Sequence, residues 1–203
     1  LHAGDRHGRR PRSGLLPPRR VSQVDLTAHW RDRDSFTVLD SAWGSGERFA
    51  LAAAAWRADP QRCRRLHYIA IAAPSLPGAR RIVQQDAGIT LDLLCAPMEQ
   101  ALAQLDARLD AICLHGKENG CARALARLSV PGTVLLMEGP GAREELAKAG
   151  FNFDAQSGSA VFATRKPVAP RPSPGERRAI VVGAGLAGSA ACERLCARGW
   201  QVT

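Results

Sequence analysis

Short apolar runs alternating with helical stretches leave this chain very few architectures. The runs at 36–39, 66–72, 89–95, 109–114 and 133–137 have the length and composition of strands. An Ala-rich segment through Trp56 and stretches near 97–105, 119–128 and 141–149 read as helices. A strand that is apolar along its whole length has to be covered on both faces, because a solvated face would carry polar residues at every second position. Helices on both sides of a parallel sheet meet that demand, so the expected fold is a doubly wound α/β domain. Runs at 151–153 and 160–164, joined by the turn-rich 154–159, add a terminal hairpin.

Length and composition fit one domain and a fragment, since 203 residues are too few for two full domains. Residues 1–34 hold Pro11, Pro17, Pro18 and eight Arg without apolar periodicity, the pattern of a disordered basic lead-in. Residues 35–164 make the α/β domain. From Arg165 to Gly175 four prolines in eleven residues impose extended chain, so 165–177 is a linker and 178–203 a separate unit. The formal net charge of +9 sits at the ends: 1–34 and 164–178 each carry +4 and 179–203 carries +1, while 35–163 balances 13 basic against 13 acidic side chains. Such tails either add salt-sensitive attraction to RNA phosphates or are simply solvated. No stretch reaches the ~18 apolar residues of a membrane span and no signal-peptide pattern opens the chain, so the expected setting is cytoplasmic, away from membranes. Six cysteines without paired CxxC spacing point to buried thiols, and neither a metal site nor a disulfide framework is expected. The chain opens on Leu1 and stops at Thr203 inside an apparent strand, and both ends read as cut.

The most specific signal lies near the carboxyl end. Arg178-Ala179-Ile180-Val181-Val182-Gly183-Ala184-Gly185-Leu186-Ala187-Gly188 places G-x-G-x-x-G directly after an apolar strand and at the start of a helix, the context of a dinucleotide fingerprint. Gly183 permits the tight turn, Gly185 lets backbone approach a pyrophosphate, and Gly188 removes a side chain where helix meets strand. The diphosphate would sit at the positive helix N-terminus. The helix at 189–198 stops at Gly199, and a second strand begins at Trp200. These glycines are the candidate FAD-binding residues, although by themselves they serve FAD and NAD equally.

A second glycine turn lies upstream. Asp40-Ser41-Ala42-Trp43-Gly44-Ser45-Gly46-Glu47-Arg48-Phe49 puts an acid at a strand end and G-x-G before a helix, which in S-adenosylmethionine enzymes cradles the methionine part of the cofactor. Asp40, Gly44 and Gly46 are the candidates for that role. Five parallel strands closing on a hairpin also match the layout of class I, nucleotide-dependent methyltransferases. Taken with the linker and the glycine fingerprint, residues 35–203 resemble MnmC, a family of bacterial bifunctional enzymes that finish methylaminomethyl-(thio)uridine at the tRNA wobble position. That family's first domain opens with an acid followed by G-F-G-T-G-x-N-F, and here the acid, both glycines and the final Phe are kept. His67-Tyr68-Ile69-Ala70-Ile71 resembles its second strand, 91–105 and 109–116 the two that follow, and Pro131-Gly132-Thr133-Val134 its fifth. Arg198-Gly199-Trp200-Gln201-Val202-Thr203 is also close to the family's wording.

The resemblance implies a parent enzyme acting on tRNA with two activities. An FAD-dependent oxidoreductase domain, begun by 178–203, would oxidise carboxymethylaminomethyl-uridine to aminomethyl-uridine. The domain at 35–164 would then methylate the amine with S-adenosylmethionine. The departures fall on the second activity. Ala72 replaces the acid after the second strand, Ala96-Pro97 replaces a Gly-Asp pair after the third, and His115-Gly116-Lys117-Glu118-Asn119 replaces Asp-Gly-Phe-Ala-Pro after the fourth. His115 therefore stands where the family places a catalytic acid. The segment between the second and third strands is also short. Each lost charge-assisted hydrogen bond removes ~1.5–3 kcal/mol, and a few such losses lower cofactor affinity by orders of magnitude. The expectation is a methyltransferase fold without methyltransferase activity. Two alternatives stay open: an active methyltransferase with altered contacts, using His115 as a base, and a non-catalytic module that docks tRNA or braces the oxidoreductase. As a unit of roughly 26 residues, 178–203 supplies a phosphate cradle but little apolar surface for a flavin ring, so it is not expected to retain FAD alone.

Overall fold

A computed structural model describes residues 25–73, 80–116, 120–138, 142–154, 159–163, 178–183, 185–197 and 200–203. Its elements run α1 (Thr27–Trp30), β1 (Ser35–Asp40), α2 (Glu47–Ala58), β2 (Arg65–Ala72), β3 (Arg80–Asp86), β4 (Ile89–Cys95), α3 (Met98–Gln104), β5 (Leu109–His115), α4 (Ala122–Leu128), β6 (Ser129–Glu138), α5 (Arg143–Lys148), β7 (Phe151–Phe153) and β8 (Ser159–Phe162). They build one eight-stranded sheet in the order β3-β4-β2-β1-β5-β6-β8-β7. β1, β2, β4, β5 and β6 pair in parallel, and β8 and β7 close one edge antiparallel. This is the class I methyltransferase-like sheet that the alternation of runs and the hairpin predict.

Burial on two faces explains the continuous apolar runs. Neighbouring residues of one strand point to opposite sides, and both sides are covered. Leu39, Ile69, Ile112 and Leu135 lie in the cluster under α3, α4 and α5, whereas Val38, Tyr68 and Leu91 join Trp30 and Trp56 of α1 and α2 on the other side. Fully burying one such aliphatic or aromatic side chain contributes about 1.5–3 kcal/mol. Parallel register then sets the strand ends level. Asp40 pairs with Ala70 and Cys113, and His115 with Glu138, so the polar residues that end β1, β5 and β6 meet at the carboxyl edge of the sheet.

The chain enters β4 through β3, antiparallel to it around the turn at Ala87 and Gly88, a strand that the sequence reading did not include. One sequence-based expectation needs correction, the start of the domain. Residues 25–34, expected in the disordered lead-in, fold onto the α2 face, with Leu26 and Trp30 buried. Residues 1–24 of that lead-in and residues 164–177, which contain the expected linker, lie outside the described residues.

The carboxyl-terminal segment folds as β9 (Arg178–Ala179), α6 (Leu186–Ala197) and β10 (Gln201–Val202), with β9 and β10 parallel. Ile180, Val182 and Leu186 are more than four-fifths exposed, because so short a βαβ unit has no second layer of its own to cover them. Among the described residues no helix is long and apolar enough to cross a membrane, and no group of three or more His, Cys, Asp or Glu is placed to hold a metal.

Candidate functional site

The crevice beyond the carboxyl ends of the strands is where open α/β sheets bind ligands. Asp40 closes β1 there, fully buried. Four donated hydrogen bonds and one charge contact converge on its carboxylate. The Ala42 amide donates to Oδ1 at 3.0 Å, Arg48 Nε to Oδ2 at 3.1 Å, Arg48 Nη2 to Oδ1 at 3.3 Å and the Tyr68 hydroxyl to Oδ2 at 2.8 Å, while His115 Nε2 lies 3.2 Å from Oδ1. Arg48 also donates to the Ala42 carbonyl, which pins its guanidinium across the turn. Burial alone would push the Asp40 carboxyl up; the contacts from His115, Arg48, the Ala42 amide and Tyr68 outweigh it and hold the group below the usual carboxylate range. The same neighbourhood acts on the other acids in reverse. Burial and the Asp40 charge raise the Tyr68 hydroxyl, and the Cys113 thiol is pushed up to about 12, so both are neutral donors or spectators.

His115 is held between two carboxylates. Nε2 faces Asp40, and Nδ1 lies 3.0 Å from Glu138 Oε2 at the end of β6. Its backbone amide donates to the Ser41 hydroxyl at 2.9 Å, which ties the end of β5 to the loop after β1. The ring nitrogens miss hydrogen-bond alignment, so charge more than direction holds the contact. Burial lowers the imidazole and the two carboxylates more than offset it, leaving its pKa above the ordinary histidine value.

The glycine turn carries Gly44 at φ 57° and Gly46 at φ 80°. Gly46 is needed for space as well as for conformation: a Cβ there would lie 2.6 Å from the Trp43 ring. Trp43 packs on Phe49 at 6.0 Å and Phe49 on Tyr68 at 5.3 Å, an aromatic run that covers the turn. Gly46→Ala is expected to cost about 1–3 kcal/mol, from the left-handed backbone and the displaced indole together. Urea unfolding followed by tryptophan fluorescence measures it, and an unchanged midpoint would show the turn to be less constrained than drawn.

The structure thus brings Asp40, Gly44, Gly46 and His115 to one crevice and leaves Gly183, Gly185 and Gly188 in the separate βαβ unit. Ala72 and Ala96 also reach the crevice, joined by the Ala96 amide donating to the Ala72 carbonyl at 3.2 Å. In the βαβ unit Gly183 has φ 115°, and a Cβ on Gly188 would lie 1.8 Å from the Gly183 carbonyl oxygen, so helix and strand touch where a side chain is missing. Sequence reasoning passed over Arg48, Tyr68 and Glu138. Arg48 sits in the first turn of a helix that starts beside Asp40, and Glu138 follows the apolar run of β6, signals that gain meaning only once the register is known. A cavity of about 760 Å³ lies elsewhere, at the amino ends of β1 and β2 beside Ser35, Thr37, Arg65 and His67, and includes none of the expected residues.

No protein-family model matches the chain. A tRNA 5-methylaminomethyl-2-thiouridine biosynthesis bifunctional protein MnmC from Burkholderia ambifaria (strain MC40-6) is 33% identical over 243 positions, covering 91% of this chain and 37% of that protein. The protein of the same name from Azoarcus sp. (strain BH72) is 33% identical over 228 positions, covering 87% and 35%. Both alignments are longer than the 203-residue chain, so these relatives contain internal segments that it lacks. The chain spans little more than a third of the length of the relatives it matches. Among solved structures, MNMC2 from Aquifex Aeolicus superposes with a TM-score of 0.50 at 14% identity, covering 64% of this chain and 54% of that one, a likeness of fold. With one residue in three identical across about nine-tenths of its length, on a methyltransferase-like sheet, this chain is similar to about a third of the length of the bifunctional proteins named MnmC.

Proposed function

We propose that the chain is part of a tRNA wobble-uridine modification enzyme in which the methyltransferase-like domain no longer transfers methyl groups, and in which FAD-dependent oxidation belongs to the domain that β9, α6 and β10 begin. The observation that carries the first half is the saturation of Asp40. A carboxylate offers about four lone-pair sites. The chain's own Ala42 amide, two nitrogens of Arg48 and the Tyr68 hydroxyl take them, with His115 in charge contact beside them, and nothing remains to grip the amino group or sulfonium of S-adenosylmethionine. Arg48 and His115 also bring positive charge to the place where a sulfonium cation would sit, and like charges repel. The residues at the crevice therefore do not fit this cofactor. Ala72 and Ala96 at its rim have no polar side chains with which to hold an adenosine.

The second half rests on the glycine unit, whose residues do fit a dinucleotide. Gly183, Gly185 and the N-terminus of α6 would hold the diphosphate of FAD, with Gly188 keeping helix and strand together. When bound, the flavin would accept a hydride from the carbon beside the substrate amine as the nitrogen loses its proton, and water would hydrolyse the resulting imine to aminomethyl-uridine and glyoxylate. What these residues contribute is the seating of the cofactor. tRNA is the substrate of this proposed activity, and the setting is cytoplasmic. The divisions at 164–165 and 177–178 remain the proposed boundaries of the linker.

Isothermal titration with S-adenosylmethionine tests the loss of methyl transfer. No binding is expected, which corresponds to a dissociation constant weaker than ~1 mM. Micromolar binding would support the competing reading of an active methyltransferase and overturn this one.

A further inference from the structure

His115 is a histidine placed where its charge matters more than its chemistry. The charged groups that act on it come from three elements, Asp40 at the end of β1, Arg48 on α2 and Glu138 at the end of β6, and Tyr68 of β2 and Cys113 of β5 stand beside Asp40. Tyr68 and Cys113 stay neutral, which leaves two carboxylates and the Arg48 guanidinium. One positive charge is missing for balance, and the imidazole stands between the carboxylates, 3.2 Å from one and 3.0 Å from the other. Its side chain is 11% exposed, so little water is available to do the same work.

We propose that protonated His115 is a built-in counter-ion that latches the carboxyl ends of β1 and β6 together, and that deleting its side chain leaves a site for a small organic cation. The latch is closed while the imidazolium persists. Above its folded pKa the proton leaves, Asp40 and Glu138 keep a net negative charge between them, and the strand ends lose their common partner. The sign follows from the direction of the shift: a histidine whose folded pKa is raised stabilises fully below its unfolded value of about 6.5, and the contribution fades as pH rises through the higher folded value. The inference rests on the reading that no sulfonium cofactor supplies this charge.

The test is chemical rescue. His115→Gly should lower Tm by about 5 °C or more at pH 6, and tens of millimolar imidazole, cationic at that pH, should restore most of the loss. Pyrazole has the same shape and stays neutral, so it should restore none. Equal rescue by both rings, or by neither, overturns the proposal. Should His115→Gly fail to fold, proton NMR of the unsubstituted chain decides, with the His115 ring signal assigned by its absence from His115→Gln. Titration clearly above about 6.5 is expected, and titration at or below that value overturns the latch. A failure here is distinct from failure of the proposed function, which is read from S-adenosylmethionine binding to the unsubstituted chain.

Discussion

Asp40→Ala destabilises the methyltransferase-like domain by about 3–5 kcal/mol, the range for removing one partner of a buried ion pair. Against a total stability of about 5–15 kcal/mol this leaves a large fraction of molecules unfolded. The mechanism is orphaned donors. Without the carboxylate, Arg48 keeps only the Ala42 carbonyl, His115 keeps only Glu138, and the buried Tyr68 hydroxyl has no acceptor at 2.8 Å. Asp40→Asn, which keeps the shape and loses the charge, should fall between the two. The pH dependence has a definite sign. The Asp40 pKa is lowered in the fold, so its contribution is present above the unfolded value of about 3.9 and disappears as pH falls through the lower folded value. Urea unfolding of both variants at neutral and acid pH measures this, and a difference under about 1 kcal/mol at neutral pH would mean that the cluster is solvated and open to a ligand.

Trp30→Ala should be equally damaging, although nothing in its sequence neighbourhood marks it. The indole is fully buried, meets Phe36 edge-on at 6.2 Å and donates from Nε1 to Asp59 at 2.9 Å. Removing so large a side chain from a packed core costs about 3–5 kcal/mol. Asp59 would also lose its indole donor. The segment around Trp30 is bound at a second point, where Arg33 Nη1 donates to the buried Asp110 at 2.8 Å and the other Asp110 oxygen accepts the Thr37 amide at 2.8 Å. Residues 25–34 therefore close the amino end of the sheet from outside the alternating pattern. A shortened chain beginning at residue 35 should unfold at least as readily as Trp30→Ala. If its urea midpoint matched that of the whole chain, the segment would be a surface strap without structural weight.

The candidate site shows why part of a binding site can be read from sequence and part cannot. Asp40, Gly44 and Gly46 are legible because strand end, acid and glycine turn are consecutive, and local spacing alone places them. The replacement of acids at Ala72, Pro97 and His115 is legible only through the resemblance to the family, whose pattern puts an acid after each of these strands. Arg48 and Glu138 are different. Each is one charged residue among many along the chain, and what turns them into partners of Asp40 and His115 is the parallel register that levels β1, β5 and β6. No local pattern encodes that.

Taken alone, the sequence determined the doubly wound class, the five parallel strands with their hairpin, the glycine turn before α2 and the dinucleotide fingerprint, because each follows from periodicity or spacing within a few residues. The tertiary structure alone decided that the β2–β4 connection returns as a strand, that Trp30 belongs to the core, and that Asp40 is occupied by the chain's own cations. These outcomes depend on contacts between residues 8 to 75 positions apart, from Asp40–Arg48 to Asp40–His115. Such distances enter the free energy only when the sheet has assembled and brought the charges within a few ångströms in a medium that screens them weakly.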